Sequence, residues 1–274
     1  MSTVPSSEAG LGLLTRFKRY RRKKIKKYGK KFIYGLEKTL AKASLVDNKP
    51  FAETSEFPHL LEIEKNWEKI LEEVQVILQH REAIPGFQEV SPDQHKLAKD
   101  GNWRTFFLYG FGIPFAKNSR QAPYTTEVIQ NAEKLQSSWF SILAPRYHIP
   151  HHRGVTKGLL RYHLGLIVPK DHEKCRIRVG KETRSWQAGK GFVIDDTFDH
   201  EVWNDTDDER VVLIVDFDRP MTWWGRLINN AFYMLMRMTA FYQEPKKNMI
   251  AQEDRFEAAI KRANANMEKL NEQD

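Results

Sequence analysis

Two histidines, His152 and His200, stand 48 residues apart, each at the edge of a run rich in β-formers. Arg161, His163 and Arg210 lie on the apolar runs that follow them. Neutral imidazole is a good ligand for iron, and guanidinium matches a carboxylate with two parallel hydrogen bonds. Two histidines brought together by a sheet, with cationic side chains nearby, are the groups needed to hold one iron ion and a small dicarboxylate.

Side-chain alternation sharpens this reading. Along 160–168, Arg161, His163 and Gly165 share one face, and Leu160, Tyr162, Leu164 and Leu166 share the other. A buried arginine is costly unless an anion meets it, so a bound anion is expected beside this face. Arg210, Val212 and Ile214 share a face of a later run, which places a second arginine at a strand start. Two arginines and a histidine suit both ends of a five-carbon dicarboxylate. A facial triad would add a carboxylate two residues after the first histidine, but that position is Gly154. Asp196, four residues before His200, is the acid expected to act instead, by holding a metal-bound water. His151 is expected to point away from the site on an extended strand.

The positioning elements are mostly β. From about residue 136, short runs (WFSIL, LLRYHLGLIV, CRIRV, GFVID, HEVW, RVVLIVDF) are separated by turn chemistry. Such spacing indicates a sandwich or barrel. Residues 55–80 read as a helix with Leu61, Ile63, Trp67, Ile70, Leu71, Val74, Ile77 and Leu78 as its apolar stripe. Helix returns after Pro220, where 221–242 is rich in Trp, Met, Tyr and Phe. That stretch reads either as a helix buried on the domain or as one lying at a membrane interface. The tail, 252–273, is amphipathic through Phe256, Ile260, Met267 and Leu270, as expected of a surface or partner-contacting helix.

The net charge of +8 is unevenly spread. Residues 1–45 carry 13 Lys/Arg against Glu8 and Glu37, whereas the remainder is slightly acidic. The stretch 11–44 reads as a basic amphipathic helix suited either to packing on the domain or to an anionic lipid surface. Basicity confined to one segment weighs against a nucleic-acid-binding fold. The lone cysteine, Cys175, excludes an internal disulfide and fits a reducing cytoplasm. The uncharged run Leu227–Met236 is only ten residues long, half of the roughly 20 a membrane span requires. No secretory signal is visible, so a cytoplasmic address, peripheral on the inner membrane face, is expected.

At the motif level, 141–220 resembles the aspartyl/asparaginyl β-hydroxylase family of iron(II)/2-oxoglutarate oxygenases. The matching elements are His152-Arg153-Gly154, Arg161-Tyr162-His163-Leu164-Gly165-Leu166, Trp186…Gly189, Asp195-Asp196, His200-Glu201-Val202-Trp203 and Arg210. A later Asp-x-x-Arg-Pro, Asp216 to Pro220, is most like the bacterial lipid A hydroxylase branch. The resemblance implies an α+β fold with a double-stranded β-helix (cupin-like jelly roll) core and flanking helices at both ends. The expected organisation is a basic N-terminal helix over 1–50, a hydroxylase domain over 51–220 and a helical extension over 221–274.

The resemblance also implies roles. His152 and His200 match iron ligands, Arg210 with Ser141 matches the pair fixing the distal carboxylate of 2-oxoglutarate, and Arg161 with His163 matches the pair near its C1 carboxylate. The implied cofactors are Fe(II), 2-oxoglutarate and O2. Glycine at 154 departs from the lipid branch and matches the protein-hydroxylating one; a vacant third position also leaves room for halide. The implied activity is hydroxylation of an unactivated C–H bond, of a lipid acyl chain or headgroup at a membrane. Alternatives are hydroxylation of an aspartyl or asparaginyl residue in a peptide, or of an amino acid, and a non-catalytic cupin-like module with a lipid- or RNA-binding arm.

Overall fold

The computed structural model describes residues 34–91, 96–98, 100–110 and 112–271. The expected basic helix over 11–44 therefore lies outside the described residues up to position 33; its end, α1 (34–43), is helical and buries Leu40 and Ala43. The single helix expected over 55–80 is two, α2 (Pro58–Lys65) and α3 (Trp67–Leu78), broken at Asn66. The Asn66 side-chain amide donates to the Glu62 carbonyl at 2.7 Å, which closes α2. Leu60 is buried and Leu61 is exposed, against expectation, while Ile63, Ile70, Val74 and Ile77 face the core as expected. The short helices α4 (Phe87–Val90), α5 (Ala116–Ser119) and α6 (Pro123–Gln130) follow. The Glu73 carboxylate of α3 caps α6 by accepting from the backbone amides of Tyr124 and Thr125, each at 2.8 Å.

The β-structure begins earlier than the apolar runs suggested, with β1 (Phe51–Glu53), β2 (Trp103–Gly110) and β3 (Ile113–Pro114). The expected strands follow as β4 (Leu135–Leu143), β5 (Tyr147–His152), β6 (Leu159–Ile167), β7 (Cys175–Val179), β8 (Glu182–Ser185), β9 (Gly191–Ile194), β10 (His200–Asn204) and β11 (Arg210–Asp218). Two antiparallel sheets form, ordered β1-β9-β6-β11-β4-β2-β3 and β5-β10-β7-β8. From β4 to β11 the chain passes back and forth between them, apart from the β7–β8 hairpin. This eight-strand winding is the double-stranded β-helix, a jelly roll, extended at the edges of its larger sheet by β1, β2 and β3.

Period-2 alternation sorts the side chains. Leu160, Tyr162 and Leu164 of β6, with Val211, Leu213 and Val215 of β11, pack beneath the helices. Val212, Ile214 and Trp139 face the interior between the sheets, with Ile177 and Val202 of the smaller sheet. The helices α7 (Trp223–Arg237) and α8 (Ala240–Asn271) complete the described chain. The tail is not simply a surface helix: Phe256 of α8 is buried against Phe106 of β2, with ring centroids 4.8 Å apart. Met267 and Leu270 have side chains outside the described set. Among the described residues, no helix is long and apolar enough to cross a membrane.

Candidate active site

Register carries the site. On the inner face of the larger sheet, Asp216 lies opposite Arg161 and Ser137, Ile214 opposite His163 and Trp139, and Val212 opposite Gly165 and Ser141. Arg210 begins the next row of the same face. In the smaller sheet, His200 pairs with His152 across β10 and β5. The two walls enclose a cavity of about 350 Å³ lined by all seven side chains singled out in the sequence: Ser141, His152, Arg161, His163, Asp196, His200 and Arg210.

The two imidazoles are close, with ring centroids 4.1 Å apart. Each Nδ1 meets a backbone carbonyl two residues earlier, Pro150 O at 2.9 Å for His152 and Phe198 O at 3.0 Å for His200. A carbonyl only accepts, so each Nδ1 must carry the proton, and in the neutral ring Nε2 keeps its lone pair. Burial lowers the pKa of His152 and, with His152 adding, pushes that of His200 down to about 3. Both rings are therefore neutral at physiological pH and oriented as ligands. His151, as expected, points outward to Asp199 at 3.2 Å.

The arginines differ, and here the sequence reading needs correction. Arg161 is not an unpartnered cation: its guanidinium makes two hydrogen bonds to Asp216, at 2.7 and 3.0 Å, and lies 3.5 Å from Asp196. Burial alone would depress its pKa, but Asp216 and Asp196 outweigh it and hold Arg161 above its ordinary value. Arg210 is the unmatched one. It is only 2% exposed, its Nε has no hydrogen-bond partner, and no carboxylate pairs with it among the described residues. Its guanidinium lies over the Trp186 ring at 4.7 Å, and burial pushes its pKa down to about 10. His163 is similarly bare: both ring nitrogens are buried without partners, its ring is stacked with Trp186 and Phe192, and burial holds its pKa well below the ordinary value.

Three further side chains support the site. Asp216 neutralises Arg161, Trp186 supports Arg210 and His163, and Trp103 donates from Nε1 to the Ser141 hydroxyl at 3.0 Å. The alternation pattern could have found Asp216, which sits on the same face as Ile214.

Gly154 and Asp196 fit each other. The Gly154 amide donates to the Asp196 carbonyl at 2.7 Å, and a Cβ at position 154 would fall 2.1 Å from Asp196 Oδ1. The Asp196 carboxyl thus fills the space a side chain at 154 would need. Burial pushes its pKa up to about 6, with Asp216 and Asp195 adding and Arg161 and Arg219 opposing. Gly154→Ala is accordingly expected to cost about 1–3 kcal/mol by overpacking. Asp196→Gly should remove most of that cost, as a double-mutant cycle by urea denaturation would reveal.

The aspartyl/asparaginyl beta-hydroxylase family profile matches residues 64–220. The chain is 40% identical over 217 residues to the ornithine lipid ester-linked acyl 2-hydroxylase of Rhizobium tropici, covering 79% of this chain and 77% of that protein. It is 32% identical to the aspartyl/asparaginyl beta-hydroxylase of Homo sapiens over 58% of this chain, but spans only 21% of that longer protein. Among solved structures, a Pseudomonas putida prolyl-4-hydroxylase aligns with 57% of this chain and 88% of its own at 13% identity and a TM-score of 0.35.

Proposed function

The chain belongs to the aspartyl/asparaginyl β-hydroxylase family, and from that premise we propose that it is an Fe(II)/2-oxoglutarate-dependent hydroxylase whose substrate is a lipid acyl chain at a membrane surface. One observation carries the cofactor reading: a buried, unpaired Arg210 shares a cavity with two neutral histidines whose Nε2 lone pairs are free. A dicarboxylate would supply the anion Arg210 lacks.

When bound, Fe(II) with 2-oxoglutarate and O2 supplies the oxidising power to place a hydroxyl on an unactivated carbon, with succinate and CO2 as the co-products. His152 and His200 would hold the metal. Among the described residues no three His, Cys, Asp or Glu side chains are grouped to do so. Asp196 would orient a metal-bound water from the place beside Gly154. Arg210 with the Ser141 hydroxyl would hold the distal carboxylate, and the bare nitrogens of His163 would meet the other end. Arg161, already matched by Asp216, would act by position and residual positive field. Beyond this polar floor the cavity is walled by Phe87, Val90, Phe107, Phe232, Met236 and Met249, an apolar lining suited to an acyl chain. The domain over 51–220 would hold the metal and 2-oxoglutarate, with Phe232, Met236 and Met249 of the helical extension completing the apolar wall.

The test is an anaerobic absorbance titration with Fe(II) and 2-oxoglutarate. A visible charge-transfer band is expected on adding both. Arg210→Ala should weaken 2-oxoglutarate binding by roughly 30- to 150-fold, the loss of about 2–3 kcal/mol of charge-assisted bonding. Arg210→Met should leave the ligand-free protein as stable as wild type or more so, since a buried unpaired cation is removed; a marked loss would make Arg210 structural. Coupled succinate release in the presence of ester-linked lipid vesicles would support the lipid reading. Release driven by an aspartyl peptide and not by lipid would assign the activity of the human relative instead.

A further inference from the structure

α7 presents two faces. Gly225, Asn229 and Phe232 are buried, and Gly225 lies so close to α1 that a Cβ there would fall 2.4 Å from the Ala43 methyl. Tyr233, Met236 and Arg237 line the cavity described above. On the opposite side Trp223, Leu227, Met234 and Leu235, with Met238 just beyond the helix, are 53–81% exposed. At 100° per residue these fall on one arc, and Arg226, Asn230 and Arg237 form a row along its edge. An apolar arc of five large side chains rimmed by polar ones marks an interaction surface rather than scattered exposure.

Charge says what covers it. No acidic residue occurs between Arg219 and Gln243. The 34–43 helix ends at an antiparallel bridge between Ser44 and Met221, next to the start of α7, and the Thr222 amide donates to the Ala43 carbonyl at 2.9 Å. That helix follows the sequence 16–31, which holds 11 Lys/Arg and no acid. The cationic segment thus precedes in sequence the helix whose end packs on the start of α7. With 15 residues, α7 would reach about 22 Å, short of the roughly 30 Å hydrocarbon core, so it can lie in a bilayer surface but not cross it.

We propose that α7 lies along an anionic lipid surface through Trp223, Leu227, Met234, Leu235 and Met238, and that an acyl chain of that surface enters the cavity past Tyr233, Met236 and Arg237. The inference rests on the lipid reading given above and adds the docking face and the route of entry. One helix then serves as both anchor and doorway. The substrate chain need not leave apolar surroundings to reach the histidines.

The experiment uses the full chain with phosphatidylglycerol-containing vesicles, phosphatidylcholine vesicles as control, and sedimentation as the readout. Wild type should partition onto the anionic vesicles, with a component surviving about 0.5 M salt, where screening removes most of the attraction. The double variant Leu227→Glu with Met234→Glu should lose at least about tenfold in partitioning, because both side chains stand well exposed on the proposed surface. Brominated acyl chains should quench Trp fluorescence in wild type and markedly less in Trp223→Phe. Unchanged partitioning of the double variant together with equal quenching in Trp223→Phe would overturn the inference. So would a finding that the double variant only abolishes self-association, which would assign the face to a second copy. The Fe(II)/2-oxoglutarate band is recorded in each variant: its presence alongside unchanged partitioning and equal quenching sinks the inference alone, and its absence in wild type sinks the cofactor reading instead.

Discussion

His200→Ala is expected to abolish the Fe(II)/2-oxoglutarate absorbance band and all hydroxylation, with iron affinity reduced by more than about 100-fold. Loss of an outer-shell partner alone typically costs 10–100-fold in metal affinity or activity, and His200 is one of the pair of adjacent cavity imidazoles oriented as ligands. Its ring orientation is set by the Phe198 carbonyl at 3.0 Å. Burial and His152 keep it neutral, so no proton competes with a metal at physiological pH. The fold should survive, because the ring faces the cavity and its single backbone hydrogen bond is worth about 1 kcal/mol. Circular dichroism and the thermal midpoint would verify this. An unaltered band in His200→Ala would place the metal elsewhere and remove the basis of the proposed chemistry. The same substitution at His152 should behave alike, since the two rings are held by the same device.

Asp195→Ala is expected to have the largest effect on stability, about 3–5 kcal/mol, because it strands two buried cations. Asp195 accepts from Arg219 and lies 2.5 Å from the Lys157 ammonium, and all three side chains are nearly or fully inaccessible. The Thr197 hydroxyl and amide also bond to Asp195 Oδ1, and Arg219 Nε donates to the Lys157 carbonyl at 2.9 Å. The cluster thus ties the loop before β6, the end of β9 and the end of β11 into one knot next to Asp196. The thermal midpoint should fall by roughly 10 °C, given about 2–4 °C per kcal/mol for a domain of this size. Replacing Asp195, Lys157 and Arg219 together by apolar residues of similar size should recover most of the loss. A midpoint within a degree of wild type in Asp195→Ala would show that water reaches these cations.

Much of the site was legible before any coordinates, and the reason is local. The period-2 alternation of a strand put Arg161 and His163 on one face, and Arg210, Val212 and Ile214 on one face, as the sheet register confirms. The spacing of histidines against those runs carried the family resemblance, and the apolar runs from 136 onward were all strands. The uneven charge along the chain was likewise plain in the sequence.

Partnership was not legible, because it depends on register between segments far apart in the chain. Asp216 lies 55 residues after Arg161 and meets it only because β11 and β6 pair in the register that also sets Ile214 opposite His163. That pairing made Arg161 a matched ion and left Arg210 the bare one. The break at Asn66 turned one expected helix into two, and the β-edge strands before 136 were hidden in segments without a long apolar run. Whether 221–242 was buried or interfacial also had no sequence answer, since its apolar residues surround the helix. Tertiary packing decided which side faces inward: Phe232 and Gly225 took the inner side, and Trp223, Leu227 and Met234 were left facing outward. Alternation and spacing, which act over a few residues, were fixed by the chain alone; which charge is satisfied and which face is free were decided by contacts that exist only once both sheets have closed.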